Sequence, residues 1–142
     1  MEDGNSIDVP QQMINVYCRI RPDQDSEDQS CWIDEWDAKS VTIQKDKYDR
    51  QKFKFDQVFG PQATQFDIYE NIGEGIVHDF LNGINGAIFA YGQTGSGKTY
   101  SIFGNPYHEE HGGIVSKALD QIFDTIEKEK ERYDSTLKIC ML

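Results

Sequence analysis

The segment Gly92-Gln93-Thr94-Gly95-Ser96-Gly97-Lys98-Thr99 constrains this chain more than any other. It matches the pattern G-x-x-x-x-G-K-[ST], and the unbroken apolar run Ala87-Ile88-Phe89-Ala90-Tyr91 stands directly before it. A run without alternation reads as a strand buried on both faces, as in a parallel sheet covered by helices. Glycines carry no Cβ, so consecutive backbone N–H groups can converge on phosphate oxygens without obstruction. A helix predicted to start near Lys98 turns its positive end toward the same anion. In that setting Lys98 suits the β- and γ-phosphates. The Thr99 hydroxyl suits Mg²⁺, a hard ion that prefers oxygen. Strand, glycine loop and helix in this order imply an α/β fold of the P-loop NTPase kind, a mostly parallel sheet flanked by helices. The loop alone leaves the use of the energy open, because nucleotide kinases, GTPases, transport ATPases and motors all employ it.

Composition narrows the partners. The chain has 142 residues, at most one domain's worth, with a net charge of −11. The acid excess lies in the first half, notably in Asp23-Gln24-Asp25-Ser26-Glu27-Asp28, which reads as a solvated loop. A body this acidic repels nucleic acid and anionic membranes. No apolar run is long enough to span a bilayer. Residues 1–13 read as a polar leader without the basic and apolar regions of a secretion signal. The three cysteines form no C-x-x-C pair, which disfavours a zinc ribbon or redox dithiol and suits a reducing, intracellular setting.

Residues 14–20 alternate apolar and other side chains and predict a strand that Pro22 stops. Three short strands are predicted at Cys31–Trp36, Ser40–Lys45 and Lys52–Phe55, forming a small antiparallel meander in which Trp32 and Trp36 share a face. Phe53, Phe55, Val58 and Phe59 read as core. Thr64, with Asp67 three residues on, predicts a capped helix start. Phe66, Tyr69, Ile72, Ile76, Phe80 and Leu81 then define its apolar face, Gly73 and Gly75 weaken it by about 1 kcal/mol each, and Asn82-Gly83 ends it. A second amphipathic helix carries Val115, Ala118, Leu119, Ile122, Phe123 and Ile126, with an exposed Glu127–Lys130 pair beyond. Residues 137–142 read as another strand. His108-Glu109-Glu110-His111 has neither zincin spacing nor a regular helix beneath it and reads as a solvated loop. The three histidines have no spacing that supports a Ser-His-Asp set.

Extended to Phe89-Ala90-Tyr91 on one side and Tyr100 on the other, the loop closely resembles the kinesin motor signature. Three more blocks agree in order and spacing. Arg19-Ile20-Arg21-Pro22 is similar to the R-x-R-P motif on the adenine side of kinesins. Phe53-Lys54-Phe55-Asp56-Gln57-Val58-Phe59 resembles their F-x-F-D-x-V-F block. Leu81-Asn82-Gly83-Ile84-Asn85-Gly86 resembles their L-x-G-x-N-G approach to the phosphate strand. The resemblance runs over residues 14–142. It implies the N-terminal part of a motor domain that binds and hydrolyses MgATP and moves along microtubules, in the cytoplasm on the cytoskeleton, within a parent that can dimerise through a coiled coil. It also implies that Arg19, Arg21 and Pro22 border the adenine, with Tyr100 against the base. Stacking a ring on a base contributes about 1–3 kcal/mol.

The sequence departs from the family pattern at Ala87, Ile102 and Ser116, where Thr, Met and Pro are usual. It contains neither N-x-x-S-S-R-S-H nor D-L-A-G-S-E, the family's switch motifs. The implied catalytic set is therefore incomplete, and the expectation is a chain that stops before the switches and the main microtubule contacts. The negative charge suits such a piece, since microtubules are themselves acidic. Family topology further implies that the strands before Pro22 and before Gly92 lack neighbours, which predicts instability or aggregation of the piece alone. Two rival readings are a non-catalytic nucleotide-binding module and a different P-loop phosphoryl-transfer enzyme. The second would need an acceptor site and a basic lid, and the acidic first half offers none.

Overall fold

Among the described residues before Pro61, short segments separated by polar turns fold as strands. The computed structural model describes residues 14–22, 31–44, 46, 48–105, 107–108, 111–132 and 134–140. Two units can be distinguished, Met1–Pro61 and Gln62–Leu142. The leader, the acidic cluster at 23–28 and the last two residues of the predicted C-terminal strand lie outside the described residues.

In the first unit, β1 (Tyr17–Arg19) pairs in parallel with β5 (Gln57–Phe59), Cys18 opposite Val58. The ladder continues at both ends, with the Ile20 N–H on the Phe59 carbonyl at 2.8 Å and the Asp56 N–H on the Val16 carbonyl at 2.9 Å. The strand before Pro22 is thus shorter than the predicted 14–20, and among the described residues it pairs with β5 alone, on one edge. The partner comes from the end of the F-x-F-D-x-V-F block.

The antiparallel meander is present as β2 (Cys31–Ile33), β3 (Ser40–Gln44) and β4 (Arg50–Lys54). Thr42 stands opposite Trp32 on one side and Lys52 on the other. β2 stops three residues before its predicted end because Asp34 captures the chain. Its Oδ1 accepts the N–H groups of Trp36 at 2.9 Å and Asp37 at 3.2 Å, the local bonding by which Asp competes with a ladder. Trp36 is therefore exposed and shares no strand with Trp32, which instead lies beneath the Arg50 guanidinium at 5.7 Å. Asp46 makes the same kind of turn before β4, accepting from Tyr48 and Asp49. Lys45, the predicted end of β3, is outside the described residues.

Among the described residues of this unit, Val41 and Phe59 are the buried apolar ones. Phe55 and Val58 are half-buried, while Phe53 is 43% exposed and so does not join the core as expected. It lies on β4, whose five residues are all exposed.

In the second unit, Thr64 caps α1 (Gln65–Ile68) through a complete capping box. Its Oγ1 accepts the Asp67 N–H at 3.1 Å, and Asp67 Oδ2 accepts the Thr64 N–H at 2.7 Å. The Thr64 N–H, and then the Thr64 hydroxyl donating to the same Oδ2 at 2.8 Å, hold the Asp67 carboxyl below the usual carboxylate range. The helix does not continue as a regular α-helix. It passes through a π-helical turn, Tyr69–Gly73, into α2 (Glu74–Leu81). Asn82-Gly83 ends α2 as predicted, with Gly83 at φ 85°.

The π turn carries one residue more per turn than an α-helix, so it shifts the phase of everything after it. The buried set from α1 to α2 is Gln65, Ile68, Tyr69, Gly73 and Val77, with Ile72 and Ile76 half-buried. Phe66, Phe80 and Leu81, expected on the apolar face, are exposed. Gly73 is required where it stands, since a Cβ there would lie 2.5 Å from Tyr69 Cδ2. Tyr69 in turn donates its hydroxyl to Gln121 Oε1 on α4 (Ile114–Glu129). Burial raises the Tyr69 pKa, and the charges of Glu74 and Asp120 add to the rise.

α4 covers the predicted second amphipathic helix, and Lys130 pairs with Glu127 at its end. Ile114 and Ile122 are its buried residues, whereas Val115 and Phe123 are exposed.

Two predicted strands do not form among the described residues. Residues 87–91 enter no ladder, and Phe89 and Tyr91 are fully exposed, at 90% and 102%. A strand is defined by its pairing, and no described residue pairs with this one. Residues 137–140 likewise form no strand.

Candidate nucleotide-binding site

Glycine geometry shapes the loop that follows Tyr91. Gly92, Gly95 and Gly97 adopt φ of 156°, 81° and 96°, the region L side chains rarely enter. At Gly92 the need is doubled, because a Cβ would also lie 2.5 Å from Ser96 Oγ. Between them the Ser96 N–H bonds the Gln93 carbonyl at 3.2 Å and closes a tight turn. Gly97 then forms the N-cap of α3 (Lys98–Phe103), so the predicted helix does start at Lys98. The first N–H groups of that helix have no intrahelical partner and stand beside the glycine turn.

Lys98 folds over this turn. Its ammonium donates to the Gly92 carbonyl at 2.7 Å and to the Gln93 carbonyl at 2.8 Å. Thr99, the next residue, is exposed, and Tyr100 is 41% exposed. The structure therefore gathers Gly92, Gln93, Ser96 and Lys98 into one cradle, with Thr94, Gly95 and Gly97 in its turns and Thr99 and Tyr100 on its helix. In the first unit, Arg19 closes β1 half-buried, and Arg21 and Pro22 follow it exposed.

The helix behind the loop is held from outside. Gln65, 4% exposed, donates from Nε2 to the Tyr100 carbonyl at 2.6 Å. At the far end, Gly104 (φ 80°) bridges Gly112, and the Gly113 N–H bonds the Phe103 carbonyl at 3.2 Å. A Cβ on Gly104 would lie 2.0 Å from the His111 carbonyl oxygen, so two backbones touch here and only glycine fits. Gln65 escaped sequence reasoning, because its partner is distant in the chain and no local pattern marks it.

The loop after Gly104 is described only in part. His108 and His111 are exposed, with their rings edge to face at 5.7 Å, while Glu109 and Glu110 lie outside the described residues. Among the described residues no group of His, Cys, Asp and Glu is placed to hold a metal. Nor does any described helix have the length and apolarity to cross a membrane. The Cys18 and Cys31 thiols are half-buried, and burial pushes both pKa values up, away from reactive thiolate.

Comparison with known proteins matches residues 19–142 to the family model of the kinesin motor domain. Kinesin-related protein 7 of Dictyostelium discoideum is 39% identical over 132 residues, covering 90% of this chain and 10% of that protein. Protein claret segregational of Drosophila melanogaster is 42% identical over 121 residues, covering 80% of this chain and 17% of that protein. The kinesin heavy chain of Syncephalastrum racemosum is 36% identical over 133 residues, covering 91% and 14% respectively. The chain thus spans 10% to 17% of the length of these relatives.

Proposed function

The chain belongs to the kinesin motor domain family, and on that premise we propose that it forms the ATP-binding part of a microtubule motor. The observation that carries the reading is the cradle at Gly92–Thr99. Three positive-φ glycines, a helix start and a lysine ammonium converge on one point.

A triphosphate takes the place of the loop carbonyls as the Lys98 partner. The ammonium exchanges two neutral acceptors for charged oxygens, which roughly doubles the strength of each bond. Backbone N–H groups of the loop, Gln93 to Lys98, supply further donors. Thr99 offers a hydroxyl oxygen, the donor class Mg²⁺ takes, and its exposed side chain at the helix start fits that role. Mg²⁺, when bound, neutralises phosphate charge during transfer of the γ-phosphoryl group. By the motif resemblance alone, Tyr100 on α3 is assigned to the adenine side, as are Arg19 at the end of β1 and Arg21 and Pro22 after it. The parent motor hydrolyses ATP and couples phosphate loss to its grip on microtubules.

Calorimetric titration of MgATP into this chain tests the site. Lys98→Ala is expected to weaken binding by about tenfold to a hundredfold, the worth of hydrogen bonds to a charged group. Equal affinity of the two proteins would refute the assignment. In the full-length protein the same substitution is expected to abolish microtubule-stimulated ATP turnover.

A further inference from the structure

We propose that Gln65 is a positioning residue for the phosphate loop, acting through the carbonyl of Tyr100 on α3. The inference rests on the nucleotide-binding reading of Gly92–Thr99 and extends it to a residue on a different helix.

Gln65 is the first residue of α1, next to the capping Thr64. At 4% exposure it is one of two buried polar side chains among the described residues, Ser40 being the other. A buried amide is tolerated when hydrogen-bonded, and this one donates to Tyr100 O at 2.6 Å. The same carbonyl accepts the Gly104 N–H at 2.9 Å. Tyr100 stands two residues beyond Lys98 and one beyond Thr99, so the contact falls on the first turn of the helix that carries both.

That helix needs the support. α3 has six residues, well below the length at which an isolated helix is stable, and Gly97 gives it no side-chain cap. Its far end is tied by the bridge of Gly104 with Gly112 and by the Gly113 N–H on Phe103. Its near end runs straight into the glycine turn. The Gln65 amide is a side-chain tie on this near half that comes from another helix, beside the bonds Lys98 itself makes to the loop carbonyls. Without it the first turn can tilt, moving Lys98 and Thr99 relative to the loop amides. A displacement of about 1 Å in a positioning group is enough to weaken phosphate contacts that depend on direction.

The test compares three proteins with a fluorescent ATP analogue and Mg²⁺. Gln65→Met keeps the size and removes the donor, and it is expected to weaken binding by about threefold to tenfold, the factor one hydrogen bond carries. Tyr69→Phe removes a different buried polar contact in the same unit, to Gln121, and is expected to bind within about twofold of the parent. Gln65→Asn keeps an amide but places it one methylene short of the carbonyl. It carries the same expectation as Gln65→Met, so the outcome does not depend on that variant folding. Amide hydrogen exchange supplies a second readout, with faster exchange expected in α3 of Gln65→Met and unchanged exchange in α4. Unaltered affinity in both Gln65 variants would overturn the proposal while leaving the nucleotide site intact. Equal losses in Tyr69→Phe would overturn it too, by reducing Gln65 to a general stabiliser. A parent chain that binds no nucleotide would overturn both the site and this role.

Discussion

Gly73 and Gly75 are two residues apart in one helical stretch, and their replacement by alanine is expected to have opposite effects. By helix propensity alone each substitution stabilises, by about 0.5–1 kcal/mol. At Gly75 nothing lies within 4 Å of the added Cβ, so that gain should be realised in full. At Gly73 the Cβ would lie 2.5 Å and 2.6 Å from two ring carbons of Tyr69, about 1 Å inside ordinary contact. The ring cannot easily withdraw. It is 8% exposed and its hydroxyl is bonded to Gln121. Ile114 Cγ2 also borders the position, at 3.5 Å. Overpacking of this kind costs about 1–3 kcal/mol, which exceeds the propensity gain. The net expectation for Gly73→Ala is a loss of about 1–2 kcal/mol. Urea denaturation followed by far-ultraviolet circular dichroism should lower its midpoint and raise that of Gly75→Ala. In a Tyr69→Ala background the penalty should vanish, because the clashing ring is gone, and the double-mutant cycle would report the coupling. If Gly73→Ala stabilises the chain as Gly75→Ala does, the π turn does not pack Tyr69 as described.

Gly104→Ala should be more damaging than Gly73→Ala, with a loss of about 2 kcal/mol or more, since it combines a positive φ with a backbone overlap that no side-chain movement relieves. Thermal denaturation with and without nucleotide would measure it. Acid should loosen the β2–β4 meander. The Lys52 hydrogen bond, followed by that from the Trp36 N–H, holds Asp34 below the usual carboxylate range, and Ser40 does the same for Asp37. Carboxylates with depressed folded values contribute stability above their unfolded pKa, about 3.9, and lose it as pH falls through the folded value. Asp34→Asn should therefore flatten the pH dependence of unfolding below about pH 4, with little change in that dependence at neutral pH.

The parts of this structure that could be read in advance are those governed by neighbours in sequence. The capping box needs only Thr64 and Asp67, and the glycine cradle needs only the residues from Gly92 to Lys98. The meander is legible because its segments are short, alternating and separated by polar turns. Readings failed where distant partners decide. Residues 87–91 have the composition of a buried strand, yet a strand exists only where another pairs with it. On the helix from Thr64 the expected apolar face holds at Tyr69, Ile72 and Ile76 but not at its ends. Past the π turn at Tyr69–Gly73 the inserted residue brings Val77 inward while Phe80 and Leu81 turn outward, a shift that periodicity cannot foresee. Gln65 was missed for the same reason, since the carbonyl it serves is 35 residues away. Trp36 was misplaced because one carboxylate, Asp34, ended the strand before it.

Amide hydrogen exchange of this chain with and without MgATP tests the central claim most directly. The expected result is slowed exchange in the peptide covering Gly92–Thr99 at saturating nucleotide, lost in Lys98→Ala. Unchanged exchange in that peptide, or protection confined to other segments, would contradict the assignment of the loop as the nucleotide site.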